Sequence, residues 1–177
     1  MRRGQVEVKG AVFLYTLAGL CVTFAGFSAL LLAIRQAAGA RLSVLDRYLA
    51  KTVLTHLFLL TAGALLPPLL ALFDIAEAAV WKISAVLFAV PMLSHLLTYS
   101  HRRRKAVGKG PPAAVFAIYI GLGSAAVVAM LVCILCGLRY EAAAYITALF
   151  VNFFTVAFAF VTALDVVMQQ PDDASPV

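Results

Sequence analysis

Five long runs of apolar residues, separated by short polar segments, constrain this chain more than any other feature of its sequence. The runs cover residues 11–34, 53–73, 83–100, 113–136 and 142–168. A helix needs roughly 20 residues to cross the hydrocarbon core of a bilayer, and a helix satisfies its own backbone hydrogen bonds in lipid. The sequence therefore predicts an all-α, polytopic integral membrane protein with five transmembrane helices.

The composition excludes a soluble globular fold. Of the 177 residues, 64% are hydrophobic and 12% are charged, whereas soluble domains have about 45–50% apolar and about 25% charged residues. The apolar runs use most of the chain, so we expect one transmembrane domain over residues 11–168 after an N-terminal segment, 1–10. The tail, 169–177, is polar, acidic and contains proline, which predicts disorder.

The net charge of +6 comes from basic residues that lie mainly between the apolar runs. In that position they anchor the spans and attract anionic headgroups. We therefore expect membrane lipids as partners and no nucleic acid.

The segment before the second run has the pattern of a helix of its own. Ser43 and Asp46 have the spacing of a capping box. Leu45 and Leu49 fall on one side, and the charged residues Asp46 and Lys51 on the other. The pattern predicts a short amphipathic helix that lies in the membrane interface and leads into the second span; a plain helical extension of the span is the alternative.

Prolines interrupt the second and third runs. Pro67 and Pro68 have no amide hydrogen, so the carbonyls of Gly63 and Ala64 lose their helical donors. We expect a kink or break there and a second kink at Pro91, and broken helices often line transport sites. The alternative is that prolines near a helix end are inert.

Small and polar residues predict where helices pack. Gly121, Ala125 and Ala129 are spaced four apart in the fourth run, a stripe that lets another helix approach closely. Asn152, in the middle of the fifth run, is expected to bond to a neighbouring helix or subunit. These features predict a homo-oligomer or a partner membrane subunit.

Aromatic residues near the ends of the runs predict the aromatic belts. Trp81 is beside a charged turn, and most of Tyr15, Tyr119, Tyr140 and Tyr145 fall near span ends. Trp and Tyr are enriched at the membrane–water interface, so we expect these side chains to lie there.

The distribution of Lys and Arg predicts the orientation. The Gly- and Pro-containing linker 101–112 is predicted to be a loop and begins with the basic cluster 101–105. Nine of the fourteen Lys and Arg fall on the side of the first and third loops. The positive-inside rule then favours a cytoplasmic C-terminus and an external N-terminus in the plasma (inner) membrane, although Arg2, Arg3 and Lys9 oppose it.

Four ionisable residues fall near the predicted cytoplasmic ends of the spans: Arg35, His56, His95 and Asp165. Ionisable side chains inside a bilayer are costly and are often functional. The two histidines could relay protons, with Asp165 as a counter-charge. The alternative is that each residue reaches water or headgroups separately.

His56 and His95 also raise a redox hypothesis, because two histidines at similar depth on neighbouring spans can ligate a haem. No other cofactor is predicted, and no metal site, since Cys133 and Cys136 have no second ligand pair.

Three classes of function are compatible with these features. The first is a small oligomeric channel or transporter with a proline-broken second helix. The second is a non-transporting assembly, anchor or sensor subunit. The third is a redox protein resembling a membrane b-type cytochrome. An enzyme is not predicted, because no nucleophile has a base at helical spacing and no carboxylates are paired in the spans.

Overall fold

The computed structural model describes residues 10–37, 39, 43–138 and 140–168, with side chains as far as residue 162. The predicted tail, 169–177, lies outside the described residues, as do residues 1–9. The helices are α1 (Ala11–Ala37), α2 (Val44–Ala71), α3 (Glu77–Leu97), α4 (Tyr99–Val107), α5 (Ala113–Val115), a π-helix (Phe116–Leu122), α6 (Gly123–Leu135) and α7 (Glu141–Met168).

The chain has five helical segments long and apolar enough to cross a membrane, which confirms the predicted all-α multi-pass class. The third segment, Glu77–Val107, joins α3 to α4. The fourth, Ala113–Leu135, joins α5, the π-helix and α6.

Four of the spans form a closed ring. α2 contacts α3, α3 contacts α6, α6 contacts α7, and α7 contacts α2. α1 packs on the outside of this ring, chiefly against α2. The spans alternate in direction, so the start of α2, α4, the start of the fourth span and the end of α7 share one end of the bundle. We call it the basic end because it carries the cationic helix α4.

The predicted amphipathic segment is not a separate helix. The capping box is present, since the Ser43 hydroxyl accepts from the Asp46 amide and the Asp46 carboxylate accepts from the Ser43 amide. From there α2 runs without interruption for 28 residues, as in the alternative of a helical extension. Asp46, expected on the polar side, is buried because the cap folds its carboxylate back onto the helix start.

Most of the basic linker is helical, which corrects the predicted loop over residues 101–112. Lys, Arg and Ala are good helix formers, so α4 runs through the basic cluster to Val107. It ends at Gly108, whose φ of 75° is a left-handed cap. Only the Gly- and Pro-rich part, 108–112, connects to the next helix.

The helix of the second span is not broken at its prolines. α2 continues past Pro67 and Pro68 to Ala71. The Gly63 carbonyl, deprived of its donor by Pro67, accepts a 2.8 Å hydrogen bond from the Tyr145 hydroxyl of α7. α3 likewise continues through Pro91, which is exposed on its outer surface. A partner from another helix thus replaces the missing bond in the second span.

The predicted small-residue stripe faces away from the bundle. Gly121, Ala125 and Ala129 are all exposed. The face of the fourth span that packs inward carries Tyr119 and Gly123 instead. Gly121 lies two residues from Tyr119 and two from Gly123, so the stripe is on the opposite side of the helix from the inward residues, which continue with helical spacing at Val127 and Met130.

Three aromatic residues predicted for the interface, Trp81, Tyr119 and Tyr145, are in the core. Trp81 is 1% exposed and its ring centroid lies 5.6 Å from that of Tyr145, which is fully buried. Their neighbours on α3 and α7 enclose them, so packing between helices determines their position.

Candidate functional site

Four polar side chains form a hydrogen-bonded chain inside the bundle near its basic end. His56 Nδ1 of α2 lies 2.9 Å from the Tyr119 hydroxyl of the π-helix. The same hydroxyl lies 3.1 Å from His95 Nε2 of α3. His95 Nδ1 lies 3.2 Å from Arg102 Nη2 of α4. The chain therefore connects three spans with the basic helix.

Local helix structure brings these residues together. Tyr119 is on the inward side of the π-helix and contacts both α2 and α3. α3 ends at Leu97, where its last carbonyls lack helical donors. Arg102 Nη2 also donates to the His95 carbonyl at 2.6 Å, so Arg102 caps α3 while it contacts the imidazole.

The two imidazole rings and the phenol ring of this hydrogen-bonded chain are buried. His56 is 0% exposed, Tyr119 1% and His95 6%. The centroids of the two imidazoles are 5.6 Å apart. In such a low-dielectric interior a satisfied polar network is strong and an unpaired group is costly.

The chemistry of arginine determines the direction of every bond in the chain. A guanidinium can only donate, so His95 Nδ1 accepts and the His95 proton is on Nε2. His95 Nε2–H then donates to the Tyr119 oxygen, and the Tyr119 hydroxyl donates to His56 Nδ1. The proton of neutral His56 is therefore on Nε2.

Besides Arg102 Nε, two buried polar atoms in or next to this chain have no hydrogen-bond partner among the described residues: His56 Nε2 and the Asn152 Oδ1. Asn152, fully buried on α7, donates through Nδ2 to the Ala148 carbonyl at 2.9 Å and across to the Gly123 carbonyl at 3.3 Å. One atom is a donor and the other an acceptor, so both retain unused hydrogen-bonding capacity.

An apolar layer closes the bundle on the far side of the chain. Leu60, Phe88 and Leu149 lie one to two helical turns from His56, His95 and Asn152, away from the basic end, and are at most 2% exposed. Phe88 and Leu149 meet at Gly63, where an added Cβ would lie 2.5 Å and 3.1 Å from them. The polar chain therefore reaches only the basic end.

The structure brings together two of the four predicted ionisable residues. His56 and His95 share Tyr119 as a hydrogen-bond partner. Arg35 lies in a different place, a groove between α1 and α2 that Asp46 also lines. Asp165 is in α7, and its side chain lies outside the described residues.

Tyr119 and Arg102 complete the chain, and neither was among the residues predicted for this site. Arg102 follows His95 by seven residues, the spacing of two helical turns, which is a usable sequence signal. Tyr119 lies at the depth of the histidines in the fourth run, but its inward direction depends on how that span packs against α2 and α3.

The arrangement does not suit a haem between the two histidines. The Tyr119 hydroxyl lies between His56 Nδ1 and His95 Nε2, within hydrogen-bond distance of both. An iron ligated by these atoms would have to replace that hydroxyl, and a porphyrin would have to separate the two rings. In the part of the chain that the structure describes, no group of three or more His, Cys, Asp or Glu is arranged to hold a metal ion.

Comparison with protein-family models, curated proteins and solved structures finds no match for this chain.

Proposed function

We propose that this multi-pass membrane protein is a small transporter or channel, and that the ion it moves is the proton. The observation that supports the proposal is the hydrogen-bonded chain of His56, Tyr119, His95 and Arg102. Histidine exchanges protons near neutral pH, and ionisable groups within a bilayer are costly enough to imply a use.

Proton transfer uses the residues of the hydrogen-bonded chain and a water molecule that accepts the last proton. A proton binds at His95 Nδ1 after Arg102 moves away. His95 Nε2 then releases its proton to the Tyr119 oxygen, and the Tyr119 hydroxyl releases its proton to His56 Nδ1. His56 Nε2 releases its proton in turn to water that enters when the apolar layer opens, so one proton enters, one leaves, and the two hydrogen bonds of the Tyr119 hydroxyl have reversed direction.

Arg102 closes the entrance of this path. Its guanidinium donates to the atom at which a proton would arrive, and a donor in that place excludes a second donor. The cation also repels an approaching positive charge. We infer that movement of α4, which follows α3 after the turn at Thr98, opens the path.

The apolar layer of Leu60, Phe88 and Leu149 favours a transporter over an open pore. It separates His56 from the opposite end of the bundle, so protons reach the site from one side at a time. Alternating access of this kind is typical of transporters. The exposed stripe of Gly121, Ala125 and Ala129 supports assembly into an oligomer, and we place the basic end in the cytoplasm.

Proton flux in liposomes tests the proposal. We expect purified protein to acidify vesicles with an enclosed pH-sensitive dye when a potassium diffusion potential drives protons inward. Tyr119→Phe removes the bridging hydroxyl and should reduce the flux at least tenfold. Tyr15→Phe makes the same change at a residue that is 54% exposed and should leave the flux unchanged. Equal flux in all three proteins would contradict the proposal.

A non-transporting assembly or sensor subunit is the second candidate. It is favoured by the closure of the chain at both ends, by Arg102 on one side and the apolar layer on the other. In that case the chain holds three spans and α4 together. The wild type would then conduct no protons, and Tyr119→Phe would lower thermal stability alone.

A further inference from the structure

A groove opens on the side of the bundle at its basic end, between α2, α4, the start of the fourth span and the end of α7. It measures about 530 Å³ including its open side. Aliphatic side chains line most of it, among them Leu49, Val53, Val115 and Ala159, and Arg103 is the one charged residue among the described residues that line it.

The Arg103 guanidinium lies at this groove and does not use all of its hydrogen-bond donors. Its Nη1 donates to the Gly110 carbonyl at 2.9 Å, which orients the guanidinium. Its Nε is buried and has no hydrogen-bond partner among the described residues. A guanidinium oriented in this way can donate a charge-assisted hydrogen bond to a phosphate.

The charges around the groove favour an anion. The described residues that line it include no Asp or Glu. α4 carries Arg102, Arg103, Arg104 and Lys105 and no acidic residue. Basic pockets between transmembrane helices bind the headgroups of anionic lipids.

We propose that this groove binds an anionic phospholipid. Its phosphate lies on Arg103, and one acyl chain lies along Leu49, Val53 and Ala159. A neutral lipid would bring no net charge to this cationic end, and a soluble phosphate would leave the aliphatic wall uncovered. The ring of Tyr119 also lines the groove, so the lipid lies against the residue that bridges the two histidines. Lipid binding does not depend on proton movement.

Native mass spectrometry of the purified full chain tests the site, with phosphatidylglycerol and phosphatidylcholine added separately to the detergent solution. We expect phosphatidylglycerol to bind more tightly than phosphatidylcholine. Arg103→Gln should weaken phosphatidylglycerol binding about tenfold, because charge-assisted hydrogen bonds are lost. Lys105→Gln removes the same charge from an exposed position on the same helix and should change binding less than twofold.

Two further measurements distinguish specific binding of the lipid in the groove from nonspecific electrostatic attraction to α4. Ala159→Leu fills the apolar part and keeps Arg103, so it should also weaken binding, and it carries the test if Arg103→Gln does not fold. Glycerol phosphate, which has the headgroup chemistry without the chains, should not compete. Equal weakening by Arg103→Gln and Lys105→Gln, equal binding of the two lipids, or full competition by glycerol phosphate would overturn the proposal. These outcomes leave the proton-flux result unaffected.

Discussion

The Tyr145 hydroxyl donates a 2.8 Å hydrogen bond to the Gly63 carbonyl, the group that Pro67 leaves without its helical donor. An unpaired carbonyl is expensive in a membrane interior because no water is present to bond to it. Tyr145, on α7, therefore allows a proline pair to remain inside an intact α2, and the bond joins two neighbouring spans.

This relationship predicts that Tyr145 and Pro67 are coupled. Tyr145→Phe should destabilise the protein by about 1–2 kcal/mol, the cost of leaving a buried acceptor unpaired. In a Pro67→Ala background the new amide can serve Gly63, so the same substitution should cost less. Reversible unfolding in mixed detergent measures both. An equal cost in the two backgrounds would show that the hydroxyl does not replace the missing helical donor.

The hydrogen-bonded chain predicts coupling between His56 and Tyr119. In a double-mutant cycle of His56→Ala and Tyr119→Phe, the free energies of unfolding should deviate from additivity by about 0.5–3 kcal/mol, as for residues in one network. The matched control is a cycle of His95→Ala with Arg35→Gln. Arg35 lies in another groove, so that cycle should be additive, and coupling there would mean that the predicted four-residue layer acts as one unit.

The proposed role of Arg102 predicts a gain of proton flux. Arg102→Ala removes the donor from His95 Nδ1 and should raise the passive proton flux into liposomes several-fold. Arg104→Ala removes a charge from the same helix at an exposed position and should have little effect. A fall in flux in Arg102→Ala, with the protein still folded, would assign Arg102 to the path itself and not to its closure.

The inward and outward faces of the fourth span should differ in whether they tolerate a larger side chain in place of glycine. A Cβ at Gly123 would lie 3.1 Å from the Asn152 Oδ1 and 3.3 Å from a Leu96 methyl carbon. Gly123→Leu should therefore destabilise the protein by about 1–3 kcal/mol through overpacking. At Gly121 the nearest atom is 3.8 Å away, so Gly121→Leu should be tolerated in the single chain. Thermal unfolding in detergent compares the two.

The proposed orientation predicts which loops a membrane-impermeant thiol reagent reaches in intact cells. In a background without Cys21, Cys133 and Cys136, Lys109→Cys should resist labelling and Tyr140→Cys should react. The cysteine is introduced at Lys109 and not at the neighbouring Gly108, because the φ of 75° at Gly108 disfavours any residue other than glycine. Labelling at Lys109→Cys alone would reverse the orientation.

The number of spans could be predicted from the sequence, because the bilayer is a uniform apolar solvent and imposes a length and composition on each helix. The prediction that a carbonyl near Pro67 needs a partner follows from the missing amide. The capping box at Ser43 and Asp46 is equally local, and the structure contains it. All three features depend on residues that are close together in the sequence or on the bilayer as a solvent.

Which residues contact one another across the spans depends on the tertiary structure. Tyrosine is a residue type typical of the membrane interface, yet Tyr145 and Tyr119 are both core residues. Contacts between spans determine where each helix face points. Gly121 has the small-residue spacing, but Gly123, on the opposite side of the helix, is the glycine that faces Asn152. His56 and His95 could be placed at one depth by counting residues from the span ends. That a tyrosine joins them and an arginine sets the direction of the bonds follows only from the packing of four helices.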